Sequence, residues 1–365
     1  MKRVELLDGL RGYFLVFMMV NHTVLSGGVM IANINHASFG YVQDAQGFVL
    51  LSGVIAGLYY AGVHTRKSPD EARRRLLARA AELYVYTLGV ILLVTLLGRG
   101  VPGAAEPLGG FLGKLRDAEP VTLLASALLL HSPTFSDLLI QYILYLLATP
   151  LLIRLILAGR QRQVALGSAA LWAAVQSGLH VPVLEAMDST LGGLVPGLFV
   201  RGPFNPIAWQ VLYVGGLLIG CAVQQNRFDT DRWFPVRNSP FLVPAVVAVG
   251  VFGVWHLLFV HGLVSPAVGD RFLRHVDRTE FSLVYLLNFA ALAYVVAWLL
   301  IAGIRSPDPR VAAAGGFLRG VFLHPFLRLL GRHALQVYAF HVLAAYAILL
   351  LDAFHGPFRE GTKTL

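Results

Sequence analysis

Residues 282–304 read SLVYLLNFAALAYVVAWLLIAGI and contain no charged side chain. An α-helix needs about 20 apolar residues to cross the hydrocarbon core of a bilayer, so this stretch is long enough to span it. Comparable apolar stretches occupy residues 10–31, 46–63, 81–97, 138–157, 164–184, 204–222, 241–260 and 326–351. Residues 121–130 form a shorter stretch that either crosses or is a re-entrant, interfacial or buried helix. We predict an all-α, polytopic transmembrane helical bundle with about ten hydrophobic segments, nine of them clear crossings.

The composition agrees with a membrane protein. Hydrophobic residues make up 56% of the 365-residue chain and charged residues 13%, and the mean hydropathy is +0.67. Soluble domains carry about 25% charged residues. We therefore predict one integral membrane domain over residues 1–365. The single cysteine, Cys221, excludes a disulfide framework within the chain.

The net charge of +9 is concentrated in short loops between apolar stretches. This is typical of the positive-inside rule, so we predict cytoplasmic basic loops and no nucleic-acid partner. The N-terminus is then cytoplasmic, with a retained first helix rather than a cleaved signal peptide. The loop 262–280 is an exception, because it carries Arg271, Arg274 and Arg278 on the predicted outer side.

The first helix carries ionisable side chains. Burying one such side chain in hydrocarbon costs about 3 kcal/mol, so ionisable residues inside a membrane are candidates for a functional role. Arg11 and His22 share one helix face, about 16 Å apart along the axis. Asp8 lies on the same face and can pair with Arg11. The pair either sets the depth of the helix or belongs to a catalytic group. His22 is either a structural, hydrogen-bonded histidine or a general base for acyl transfer.

A second polar group opens the next apolar stretch. Asp44 and Gln46 could meet His22 or a polar acceptor on the outer side, although an aspartate at this place is also a common helix cap. The basic run that follows this stretch contains Arg74, Arg75 and Arg79. It is either a topology signal or a site for nucleotide phosphates.

Three further polar side chains occupy later apolar stretches: Asn205, Gln210 and His341. Each of these side chains either forms a hydrogen bond between helices, typically worth less than about 2 kcal/mol, or contacts the acceptor substrate or the oxyanion of an acyl-transfer reaction. No histidine or carboxylate spacing within a spanning stretch is typical of a metal site, so we predict no metal.

Four motifs occur in order along the chain: LDGLRG at 7–12 with Asn21-His22, FVLLSG at 48–53, PFNPIAWQ at 203–210 and LGRHALQVYAFH at 330–341. Together with Asp137 and Gln141-Tyr142, they resemble the OpgC family, which is associated with succinylation of osmoregulated periplasmic glucans. The first-helix arginine and histidine are also similar to the signature of the wider acyltransferase-3 group of membrane enzymes.

The resemblance implies a membrane O-acyltransferase of the bacterial inner membrane. Acyl-CoA, either succinyl-CoA or acetyl-CoA, would be a co-substrate rather than a tightly bound cofactor, and an extracytoplasmic glycan would be the acceptor. His22 would be the base, Arg11 its positioning partner, and Arg75 with Arg79 the contacts to the coenzyme phosphates. The chain departs from the family pattern at Gln43 and Gln46, where that pattern has acidic residues.

Two other functions fit the same sequence. Intramembrane Arg, His and Asp side chains also mark the pathways of transporters and flippases. Transporters often show paired broken helices in corresponding halves, and no such pair is evident in the sequence. A membrane scaffold without activity is the third possibility.

Overall fold

The computed structural model describes residues 4–23, 25–26, 36–202 and 204–358, with the side chain of residue 38 left out. Within these residues the chain forms helices and connecting loops, with no β-strand beyond one isolated bridge between His131 and Arg201. The helices are α1 Glu5–His22, α2 Asp44–Arg66, α3 Pro69–Gly100, α4 Ala105–Leu112, α5 Pro120–Ala127, α6 Asp137–Leu157, α7 Gln161–Gln176, α8 Val181–Leu194, α9 Pro206–Gln224, α10 Thr230–Trp233, α11 Leu242–Val260, α12 Pro266–Leu273, α13 Leu283–Ile301, α14 Pro309–Phe322, α15 Pro325–Arg332 and α16 Ala334–His355.

Among the described residues, seven helices are long and apolar enough to cross a membrane: α2, α3, α6, α9, α11, α13 with the short turn after it, and α16. The all-α polytopic bundle is thus confirmed. The expected count of nine clear crossings and about ten segments is too high, since the total is seven, or eight if one bent helix pair is a single span.

Three of the expected segments account for the difference. The helix α1 has 18 residues, but Glu5, Asp8 and Arg11 interrupt its apolar surface. The stretch 164–184 is divided between α7 and α8, which meet at a bend of 65°. The stretch 121–130 yields α5, whose 8 residues are too few to span hydrocarbon.

The centre of the bundle is the contact between α2 and α9, where glycines let the two backbones touch. A Cβ atom added to Gly53 would lie 2.1 Å from the carbonyl oxygen of Tyr213, and one added to Gly216 would lie 2.1 Å from that of Leu50. Small residues in such positions allow close packing of membrane helices. This contact holds in place the N-terminal ends of both helices, where several polar side chains lie.

The helix α1 is held by the short helix α15. A Cβ atom added to Gly12 would lie 1.9 Å from the carbonyl oxygen of Leu327, and one on Gly331 would lie 1.7 Å from that of Asp8. At the start of α1, Glu5 pairs with Arg328. Because α16 begins directly after α15, the same contact brings α16 alongside α1.

Candidate functional site

Two histidines that are far apart in sequence meet between α1 and α16. Nδ1 of His22 lies 2.9 Å from Nε2 of His341, within hydrogen-bonding distance. His22 is the last residue of α1, and His341 is only 2% exposed inside the bundle. Since each imidazole can donate at one nitrogen and accept at the other, a neutral pair satisfies this contact with one ring acting as donor.

Aromatic rings enclose the histidine pair. Phe135 stacks on His22 with ring centroids 4.2 Å apart, and Tyr338 meets His341 edge-on at 4.5 Å. The Tyr338 hydroxyl donates to the carbonyl oxygen of Phe135 over 2.7 Å. Phe135 has a φ of +75°, a left-handed conformation that is costly for a bulky residue. Such strain is often found at functional sites, and the sequence motifs had not indicated this residue.

A polar cluster adjoins the pair through Asn21. The Asn21 amide donates to Oδ2 of Asp44 over 2.6 Å, and Oδ1 of Asp44 lies 3.2 Å from Nε2 of His36. The other nitrogen of His36 lies 3.2 Å from the Tyr13 hydroxyl. His36 lies outside the spanning helices, and burial lowers its pKa to about 4, so the ring is neutral at pH 7.

Asp44 does not cap α2. The N-cap is Gln43, which forms a reciprocal capping box with Gln46. Gln46 is fully buried, and its amide group bonds only to backbone: its oxygen accepts from Gln43 N and its nitrogen lies 3.4 Å from Tyr41 O. Its position is thus explained by helix geometry, whereas the Asp44 carboxylate is directed at side chains of other segments.

Asn205 and Gln210 are also engaged in structural contacts. Asn205 caps α9 and donates to Glu280 over 2.8 Å. Gln210 accepts from the Ser168 hydroxyl at 2.7 Å and donates to the Ser168 carbonyl oxygen at 2.8 Å. Neither amide is directed at the histidine pair, so the helix-to-helix alternative describes their geometry better than an oxyanion contact. Pro203, which belongs to the same sequence motif, lies outside the described residues.

A small cavity brings together two of the predicted arginines. Arg11 of α1 and Arg79 of α3 both line it. Arg11 lies over the Phe48 ring, 5.4 Å from its centroid, and Arg79 also pairs with Glu82 at 2.7 Å. Tyr338 lines the same cavity and meets His341 edge-on, so one side chain contacts both places.

The other predicted charged residues are arranged differently. Arg74 and Arg75 both bond to Glu71 in the first turns of α3, and Arg75 also donates to the Tyr59 hydroxyl at 2.7 Å. Asp8 is buried, with Oδ2 3.9 Å from Nε of Arg332. Arg79 is therefore the member of the basic run that reaches the cavity.

Arg278 is a further residue that the sequence motifs did not select. Its guanidinium lies over the Phe204 ring at 5.3 Å, and its charge acts electrostatically on His22. Its loop is fixed by Trp209, whose indole N–H donates to the Arg278 carbonyl oxygen at 3.1 Å. The sequence signal that could have selected Arg278 was the excess of positive charge in the loop 262–280, which was predicted to lie on the outer side of the membrane.

No group of three or more His, Cys, Asp or Glu side chains suited to a metal ion occurs among the residues that the structure describes. At its centre the site presents two imidazoles enclosed by aromatic rings.

The fold and the site define a polytopic, all-α integral membrane protein with a histidine pair between two helices. The chain matches the family model described as OpgC protein over residues 2–358, and it belongs to this family. The resemblance indicated by the sequence motifs is thus confirmed. Membership supports a glucan-modifying, acyltransferase-like role. Comparison with curated proteins finds no match, and comparison with solved structures finds none.

Proposed function

We propose that this protein is an O-acyltransferase that moves an acyl group, succinyl or acetyl, from cytoplasmic acyl-CoA to a hydroxyl of an extracytoplasmic glycan. The observation that carries this proposal is the 2.9 Å contact between Nδ1 of His22 and Nε2 of His341. It supplies a base and a group that orients it, which is the arrangement needed to activate a hydroxyl.

The direction of the hydrogen bond decides which nitrogen can act as the base. If Nδ1 of His22 carries the hydrogen and donates to His341, then Nε2 of His22 holds the lone pair that accepts the substrate proton. His341 thereby does for His22 what a carboxylate does for the histidine of a serine hydrolase. It fixes the tautomer and the ring orientation.

In the transfer step, the glycan oxygen attacks the thioester carbonyl carbon while its proton moves to Nε2 of His22. The new C–O bond forms, the C–S bond breaks, and the CoA thiolate leaves and takes up that proton. Positive charge near the carbonyl oxygen would stabilise the intermediate, and Arg278 lies within electrostatic range of His22.

Arg11 and Arg79 would bind anionic groups of the acyl-CoA, because arginines form strong charge-assisted bonds to phosphate. Their shared cavity supports this role. The basic loops would face the cytoplasm, which puts the donor on that side, and a cytoplasmic N-terminus requires that α1 also crosses the membrane. The bacterial inner membrane is the location that fits a donor on one face and a glycan on the other.

Release of free CoA tests this proposal. Membranes that contain the protein should release CoA from acyl-CoA only when a glycan acceptor is present, and His22→Ala should abolish the release. Acceptor-independent release, or full release by the variant, would contradict the assigned chemistry.

A transporter or flippase is the second candidate. The 65° bend between α7 and α8 is the feature that supports it, although transporters characteristically contain such broken helices in pairs. Counterflow of a glycan in proteoliposomes without CoA release would support transport over acyl transfer.

A further inference from the structure

Four polar side chains, one of them that of the residue directly before His22, form a connected cluster that the transfer step described above does not use. They are Tyr13, Asn21, His36 and Asp44, here called the Asp44 cluster. The cluster joins α1 to α2 through the Asn21–Asp44 bond of 2.6 Å, and to the short 3-10 helix His36–Phe39 through the 3.2 Å approach of His36 to Asp44.

His22 needs such an external support because it lies at the end of its helix. The last turn of an α-helix has carbonyl groups without intrahelical donors, and terminal turns fray more readily than helix interiors. Asn21 lies in that turn, directly before His22. A strong bond from Asn21 to a neighbouring helix fixes the rotation of the turn about the helix axis, and so the direction of the His22 ring.

Asp44 is well suited to be the fixed end of this bond. It is 5% exposed, and a buried carboxylate is costly unless its oxygens have partners. Oδ2 accepts from Asn21, and Oδ1 faces His36, which in turn contacts the Tyr13 hydroxyl. Among the described residues, the bond from Asn21 is the side-chain hydrogen bond that orients the carboxylate.

We propose that Asp44 is a positioning residue for acyl transfer: acting through Asn21, it holds the His22 ring against His341. This inference rests on the proposed function of His22. It differs from a direct role of Asp44 in binding the acceptor, because it requires Asn21 as the intermediary.

Exchange of the two side chains tests this intermediary directly. Asn21→Asp sets two carboxylates against each other, which should lower kcat for CoA release on the order of 10²-fold, with KM for acyl-CoA changed less than about twofold. Adding Asp44→Asn restores an amide donor and a carboxylate acceptor in reversed order. We expect the double variant to recover kcat to within about tenfold of the original protein. Failure of the double variant to recover would overturn the proposal.

A second pair covers the case in which Asn21→Asp does not fold. Asn21→Ala and Asp44→Ala should each lower kcat, and the double variant should be no worse than the poorer single variant. Additive losses would show that Asp44 acts independently of Asn21 and would overturn the proposal.

Asp352→Asn is the matched control, since Asp352 accepts from Ser26, four residues after His22, at 2.9 and 2.7 Å. It should change kcat by less than about twofold. An equal loss in this control would show that any loosening of this end of α1 lowers kcat, and would contradict a specific role for Asp44. If His22→Ala retains activity, the proposed acyltransferase mechanism fails. If His22→Ala loses activity but the Asn21→Asp, Asp44→Asn double variant does not recover it, only the positioning role of Asp44 fails.

Discussion

Nδ1 of His22 lies 2.9 Å from Nε2 of His341, although 319 residues separate the two along the chain. Their rings are nearly parallel, with centroids 5.1 Å apart and an interplanar angle of 26°. The helices α1 and α16 each contribute one imidazole to this pair, which aromatic rings enclose. The account of acyl transfer depends on this contact.

His341→Phe should lower kcat on the order of 10²-fold, because the ring volume is kept while the hydrogen-bond acceptor for His22 is lost. KM for acyl-CoA should change little, since His341 does not line the arginine cavity. Steady-state CoA release at matched membrane abundance measures both constants. His261→Phe, at an exposed position after α11, is the control and should keep full activity. Unchanged kcat in His341→Phe would mean that His22 does not need its partner.

Arg79→Gln should raise KM for acyl-CoA about tenfold with a smaller change in kcat, since a charge-assisted bond to the donor contributes about 1.5–3 kcal/mol. Inhibition by free CoA should weaken in parallel. Arg162→Gln, at an exposed position in the first turn of α7, removes the same charge elsewhere and should leave KM unchanged. If Arg79→Gln and Arg162→Gln behave alike, the cavity is not the donor site.

Titration of His36 should contribute a loss of stability as the pH falls below about 6.5. Burial lowers the pKa of His36 from 6.5 to about 4 in the folded protein. Between these values the unfolded chain binds a proton that the folded protein does not, so unfolding becomes more favourable as pH falls through this window and the effect levels off below about pH 4. Thermal unfolding in detergent from pH 7.5 to 4.5 measures this. The advantage in Tm of the original protein over His36→Gln should shrink as the pH falls across this range, and a constant difference would contradict the assignment.

Gly216→Leu should strongly reduce the folded fraction, because its Cβ would lie 2.1 Å from the Leu50 carbonyl oxygen. Overpacking of a close contact typically costs about 1–3 kcal/mol, and backbone atoms cannot move aside as side chains do. Gly215→Leu is a control one residue away, since a Cβ there has no neighbour within 4 Å. Size-exclusion profiles and Tm in detergent compare the two. Equal stability of both variants would exclude a tight contact between α2 and α9.

The sequence predicted most of the helices because an apolar stretch long enough to span hydrocarbon is a local property. The seven spanning helices all coincide with predicted stretches. It failed where the backbone bends or where charge interrupts a helix. The bend between α7 and α8 follows Gly178, whose φ of +74° breaks the helix within one continuous apolar stretch. Hydropathy alone gives no signal for such a bend.

The candidate site was only partly predictable. His22 and His341 were both selected as intramembrane polar residues, but their partnership is a tertiary contact that no local pattern contains. Asn205 and Gln210 were selected by the same criterion, yet each has a structural partner in a neighbouring segment. His36 and Phe135 belong to no sequence motif that would have selected them, because their roles depend on the rings and the carboxylate that surround them in the folded protein.

The ester content of extracytoplasmic glycans tests the central claim most directly. Mass spectrometry would compare cells that carry the original protein, a deletion, and His22→Ala at matched membrane abundance. We predict that the acyl mass on the glycan disappears in the deletion and in His22→Ala alike, because the hydroxyl then has no base to take its proton. If the glycan keeps its acyl groups in His22→Ala cells while the deletion loses them, His22 is structural and the proposed mechanism is wrong.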